Sequence, residues 1–162
     1  MTRRRSFIAL GAATGLSTGC GFQLRRPPAM PFRRLALTGF APRSPLAEDI
    51  RRSLAGTVQI VEAPSQAEVV LVALLDGREK SVVASTSAVQ VREVQLRLKF
   101  NFRAQTPSGR VLMPTTELML TRDMSYNETQ ALAKEQEEAQ LYRDMQTDVV
   151  AQVLRRLSAV KP

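Results

Sequence analysis

The stretch Glu93-Val94-Gln95-Leu96-Arg97-Leu98-Lys99-Phe100-Asn101-Phe102-Arg103-Ala104-Gln105 alternates polar and apolar side chains along its whole length. A period of two sends successive residues to opposite faces of a strand. Val94, Leu96, Leu98, Phe100, Phe102 and Ala104 therefore share one face, and Glu93, Gln95, Arg97, Lys99, Asn101 and Arg103 share the other. A strand wet on one side belongs to an antiparallel or mixed sheet covered on its other side. Upstream, Val89 and Val91 have the opposite parity, which predicts a bulge or twist near Arg92. Thr106-Pro107-Ser108-Gly109 closes a hairpin into a return strand from Arg110 to Arg122, where Pro114 requires an edge position or a bulge.

Working outward, Val69 to Leu75 is a continuous apolar run, read as a strand buried on both faces. Asp76-Gly77 follows as a turn signal, after which Arg78 to Ser85 extends or pairs with that strand, and Ser85-Thr86-Ser87 is a polar break. Arg34 to Phe40 and Thr57 to Val61 read as two shorter strands. Between them, Ser44-Pro45 supplies a capping hydroxyl and a proline at the first helical position, Leu46, Ile50 and Leu54 recur every four residues, and Gly56 offers a stop. The last element is a long helix. Asn127 and Gln130 have capping-box spacing, and Tyr142, Met145, Val149, Val150, Val153, Leu154 and Leu157 form an apolar stripe. Glu135, Glu137 and Glu138 near its start and Arg155 and Arg156 at its end suit the helix dipole. Lys134 is spaced for an i,i+4 ion pair with Glu138. The order strand, helix, several strands, helix predicts an α+β fold. Its two helices pack on one face of a mixed or antiparallel sheet of four strands or slightly more.

The chain's one cysteine, Cys20, closes a different kind of segment. Arg3, Arg4 and Arg5 precede a short apolar run from Phe7 to Ala13, and Leu16-Ser17-Thr18-Gly19 leads to the cysteine. That layout reads as a secretory signal, residues 1–19, with Cys20 as the acceptor of a covalent lipid. The apolar run is far short of the roughly 20 residues that span a bilayer. Arg4-Arg5-Ser6-Phe7-Ile8 also fits a twin-arginine pattern, so the general secretory and twin-arginine routes both stay open. Residues 20–31, with Arg25-Arg26-Pro27-Pro28, read as a stiff lipidated tether, and residues 32–162 as a single α+β domain.

Composition narrows the chemistry. Histidine is absent, and lipidation of Cys20 leaves the mature chain no thiol. The commonest general base and metal ligand are thereby missing, along with any cysteine nucleophile, disulfide or thiolate metal site. The strings Gly15-Leu16-Ser17-Thr18-Gly19 and Ser158-Ala159-Val160-Lys161 match hydrolase spacings, but the first lies within the signal segment and the second at the end of the last helix, and there is no phosphate-cradling glycine loop. We therefore expect no enzyme, no metal and no cofactor beyond the lipid on Cys20. Without the three signal arginines, 20 basic residues face 15 acidic ones. In an exported lipoprotein the polyanions at hand are lipid head groups and lipopolysaccharide. Eight aromatics and no recognition motif give nucleic acid no stacking surface. On the alternating strand, Arg97, Lys99 and Arg103 are offset only by Glu93, which leaves two readings open. One is a plain solvated sheet face; the other is a basic surface meeting phosphates or an acidic wall.

Cys20-Gly21-Phe22-Gln23-Leu24-Arg25 resembles the Cys-Gly-aromatic-x-Leu-Arg start of the LptE family of lipopolysaccharide-assembly lipoproteins. The segment Asn127 to Lys134, ending Ala131-Leu132-Ala133-Lys134, and the helix end Val153-Leu154-Arg155-Arg156-Leu157 are also similar to that family. The resemblance implies two helices on a four-stranded sheet. It also implies a lipid anchor at Cys20 on the periplasmic side of the outer membrane. The implied role is a one-to-one plug inside the LptD β-barrel that assists the barrel's assembly and contacts lipopolysaccharide through basic side chains. By position, Lys134 matches a family basic residue linked to lipopolysaccharide. A second such position falls near Ser87, where this chain has no basic residue and Arg92 is the nearest. On the plug reading, Arg97, Lys99 and Arg103 would face a lumen wall. Gly21, where inner-membrane retention typically has Asp, is compatible with outer-membrane delivery. The rival expectation is an accessory lipoprotein of an ABC-type phospholipid transport system.

Overall fold

A computed structural model describes residues 28–85 and 91–162. The signal segment, Cys20, the first part of the tether and Thr86, Ser87 and Val89 lie outside the described residues. In chain order the elements are β1 (Arg34–Thr38), α1 (Pro45–Leu54), β2 (Gln59–Val61), β3 (Val69–Ser85), β4 (Val91–Gln105), β5 (Val111–Ser125) and α2 (Ala131–Leu157). Short 3-10 turns at Pro64–Gln66 and Glu128–Gln130 precede β3 and α2. The five strands form one mixed sheet in the order β2-β1-β3-β4-β5. β1 is parallel to both its neighbours, while β3, β4 and β5 are antiparallel. Five strands agree with the expected sheet of four strands or slightly more.

The alternation of β4 survives intact. Val94, Leu96, Leu98, Phe100, Phe102 and Ala104 are all buried, and the Phe100 and Phe102 rings stack with centroids 4.9 Å apart. Both helices cover that face. Leu46, Ile50 and Leu54 of α1 and the whole predicted stripe of α2, from Tyr142 to Leu157, join the β4 residues in one hydrophobic cluster. A smaller cluster of Ala36, Ala67 and Val70 sits on the opposite face. That second cover buries Val70, whereas Leu74 and Leu75, at the end of the Val69–Leu75 run, are exposed.

The Asp76-Gly77 turn signal does not turn the chain. β3 runs straight through it, with Gly77 opposite Lys99, because continuous pairing with β4 on both sides outweighs the local preference. A bulge does occur just before, between Ala73 and Leu75. Near the far end of the pair, Ala84 lies opposite Glu93 and Ser85 opposite Val91, which leaves Arg92 out of register. The phase change in the sequence has this bulge as its cause. Pro114 satisfies both of its alternatives, since β5 is an edge strand and its register slips between Met113 and Thr116.

The helix starts are set by short polar side chains. Ser44 caps α1, its Oγ accepting from the Ala47 amide at 3.2 Å and donating to Asp76 Oδ2 at 2.7 Å. Asn127 behaves differently from the capping box that its spacing predicts. Its Oδ1 accepts from the Thr129 amide and hydroxyl, which favours a 3-10 turn and delays α2 to Ala131. Even with that later start, Glu135, Glu137 and Glu138 fall beyond the first turn, where a helix dipole is felt most, whereas Arg155 and Arg156 do occupy the last turn.

Candidate functional site

The basic residues picked out by the sequence fall in two places. Lys134 lies in the first turn of α2, its side chain only 14% exposed. Its ammonium donates to Ser125 Oγ at 3.1 Å and pairs with Glu137 at 2.8 Å, an i,i+3 partner in place of the expected Glu138. Ser125 closes β5 and stands in register with Glu93. Arg92 precedes Glu93 in β4, so the backbone brings Arg92 and Lys134 to the same end of the sheet. Lys80 of β3 bonds Glu138 at 2.6 Å and stands 5.8 Å from the centroid of the Tyr126 ring. The Glu138 carboxylate holds the Lys80 ammonium above its ordinary pKa. The cations Lys80 and Lys134 each have a carboxylate in place.

Arg97, Lys99 and Arg103 lie on the uncovered face, as the alternation requires. An acid of β3 answers Lys99 directly, and an acid of β5 backs Arg97 through Gln95. Glu79 on β3 is opposite Arg97 and bonds Lys99 at 2.8 Å. That bond holds the Glu79 carboxyl below its usual range. Arg97 donates to Gln95 Oε1 at 2.8 Å, and Gln95 in turn donates to Asp123 of β5 at 3.0 Å. Asn101 donates to Glu117 at 3.3 Å. The face is thus a mixed polar ladder, and Arg103 is the exception. Its Nε is buried and finds no hydrogen-bond partner among the described residues.

One polar chain is not foreshadowed by the sequence pattern. Gln146 interrupts the apolar stripe of α2 and is 5% exposed. It donates to Asp49 of α1 at 2.5 Å and accepts from Arg78 of β3 at 2.6 Å. The Arg78 guanidinium lies 5.0 Å from the centroid of the Tyr142 ring, and the Tyr142 hydroxyl donates to the Glu79 carbonyl at 2.8 Å. A glutamine beside Met145 in the stripe is the one signal of it, but its partners lie 97 and 68 residues away in the chain.

None of the described helices is long and apolar enough to cross a membrane. The model of the LptE family, described as lipopolysaccharide-assembly, matches residues 32–157. The chain is 30% identical to the LPS-assembly lipoprotein LptE of Photorhabdus laumondii, over 99% of this chain and 88% of that protein. It is 29% identical to the protein of the same name from Yersinia enterocolitica, over 99% and 78%. Among solved structures, it is similar to lipoprotein B of Nitrosomonas europaea, with a TM-score of 0.70 and 31% identity over 86% of this chain and 91% of that one. Rare lipoprotein B of Shewanella oneidensis shares the fold, with a TM-score of 0.66 and 23% identity over 78% and 95%. With every element from β1 to the end of α2 inside the matched span, the chain belongs to the LptE family of lipopolysaccharide-assembly lipoproteins.

Proposed function

We propose that this chain is a lipid-anchored, non-enzymatic component of the machine that carries lipopolysaccharide to the outer leaflet. Cys20 bears the lipid, and the domain sits on the periplasmic side of the outer membrane. There it plugs the LptD β-barrel in a one-to-one complex and assists the barrel's folding. The observation that carries this reading is likeness to LPS-assembly lipoproteins over 99% of the chain. The architecture supports it, because two helices seal one face of the sheet and leave the other as a polar ladder suited to a water-lined lumen. The end of the sheet that holds Lys134 and Arg92 is the proposed lipopolysaccharide contact. Lys134 can turn to a phosphate only by leaving Glu137 and Ser125 Oγ.

Depleting the chain in its own organism tests the role. The expected result is loss of folded barrel protein together with a fall in newly exported lipopolysaccharide at the surface. Normal lipopolysaccharide export with missorted phospholipid would contradict it.

A further inference from the structure

We infer that Arg103 is the anchor of the plug's contact with its barrel, receiving a carboxylate from the lumen wall within an apolar surround. This rests on the proposed function and narrows it from a face to a point. A buried N–H without a partner costs on the order of 1–3 kcal/mol, and native structures rarely leave one so. The neighbours explain why none of the described residues supplies a partner. Arg103 stands opposite Val72 on β3, and on β5 its place in the register falls at the slip around Pro114. Glu117, the acid beside the next outward residue of β4, is taken by Asn101. Arg97 and Lys99 have Gln95 and Glu79.

The surface around Arg103 is also less polar than the rest of the ladder. Leu75, beside Asn101, is 43% exposed, and Leu74, left out of register at the β3 bulge, is 49% exposed. Val111, beside Gln105, is exposed as well. An arginine whose Nε has no partner among the described residues, bordered by exposed leucine and valine, matches the usual form of an interface hot spot. Its complement is an acidic side chain set among apolar ones. A charge pair of this kind, once water is excluded, contributes to affinity where a rim charge contributes little.

The test compares Arg103→Met, Arg103→Lys and Lys99→Met, each expressed full length in the native host and purified from solubilised membranes. With the wild-type chain, the barrel protein is recovered; a wild type that recovers none refutes the proposed function itself. Arg103→Met is expected to reduce recovery by roughly tenfold or more. Arg103→Lys retains part of it, and Lys99→Met leaves it near wild type. Thermal unfolding of the purified domain separates binding from folding. Arg103→Met should melt no lower than wild type, because it removes an unpaired buried donor. Undiminished recovery with Arg103→Met, or an equal loss with Lys99→Met, would overturn the inference. So would recovery that falls only in step with a lower melting temperature. Loss of co-purified lipopolysaccharide with the barrel unchanged would likewise overturn it, by assigning Arg103 to lipid.

Discussion

Gly39 follows β1 at a φ of +78°, and a Cβ there would run into the Ala73 carbonyl oxygen. Only glycine meets both demands, so Gly39→Ala should destabilise the fold by more than about 1 kcal/mol. The reading is a lower urea midpoint with an unchanged slope; an unchanged midpoint would refute the close approach. Tyr142 offers a second single-residue test. Burial, with Glu138 nearby, raises its phenol above the ordinary value of 10.0. The neutral phenol is the form the fold prefers. Its contribution is therefore fully present below the unfolded pKa and is lost as pH rises through the higher folded one. An ultraviolet titration of tyrosinate should show a component that ionises late and disappears in Tyr142→Phe. No such component would contradict the burial of the phenol beside Glu138. At this scale Arg103 is legible in the sequence as one of three outward cations. Its isolation is not, because the acids that answer Lys99 and back up Arg97 come from other strands.

Elements whose evidence is local are legible in the sequence. The inward residues of β4, the Ser44-Pro45 start of α1 and the apolar stripe of α2 follow from spacing alone, and each is where spacing puts it. Local signals fail where distant pairing competes with them. Asp76-Gly77 is absorbed into β3 by its ladder with β4, and the carboxyl of Asp76 becomes an acceptor for the Ser44 cap. The failure at Asn127 is of the opposite kind, since a shorter-range bond to Thr129 displaces the capping box. Gln146 couples three elements by bonding α2 to α1 and to β3. Gln146→Ala should cost about 1–3 kcal/mol by leaving Asp49 and Arg78 without that partner. Chemical denaturation reads this directly. A loss below a few tenths of a kcal/mol would show that water replaces the amide at no cost.

For the whole molecule, one covered face and one open face are the organising fact. The covered face closes a core through both helices and the three long strands. On the open face, Glu79 of β3 pairs with Lys99, while Asp123 and Glu117 of β5 accept from the amides of Gln95 and Asn101, so the cations of β4 stand among acids there. Partner choice then depends on placement more than on total charge, which suits a plug held in a matching lumen. The most direct measurement is the composition of the complex purified through this chain from detergent-solubilised outer membrane. The expected composition is one large β-barrel protein in equal molar amount with the chain. Recovery of an inner-membrane permease or a soluble lipid carrier, with no barrel, would contradict the plug.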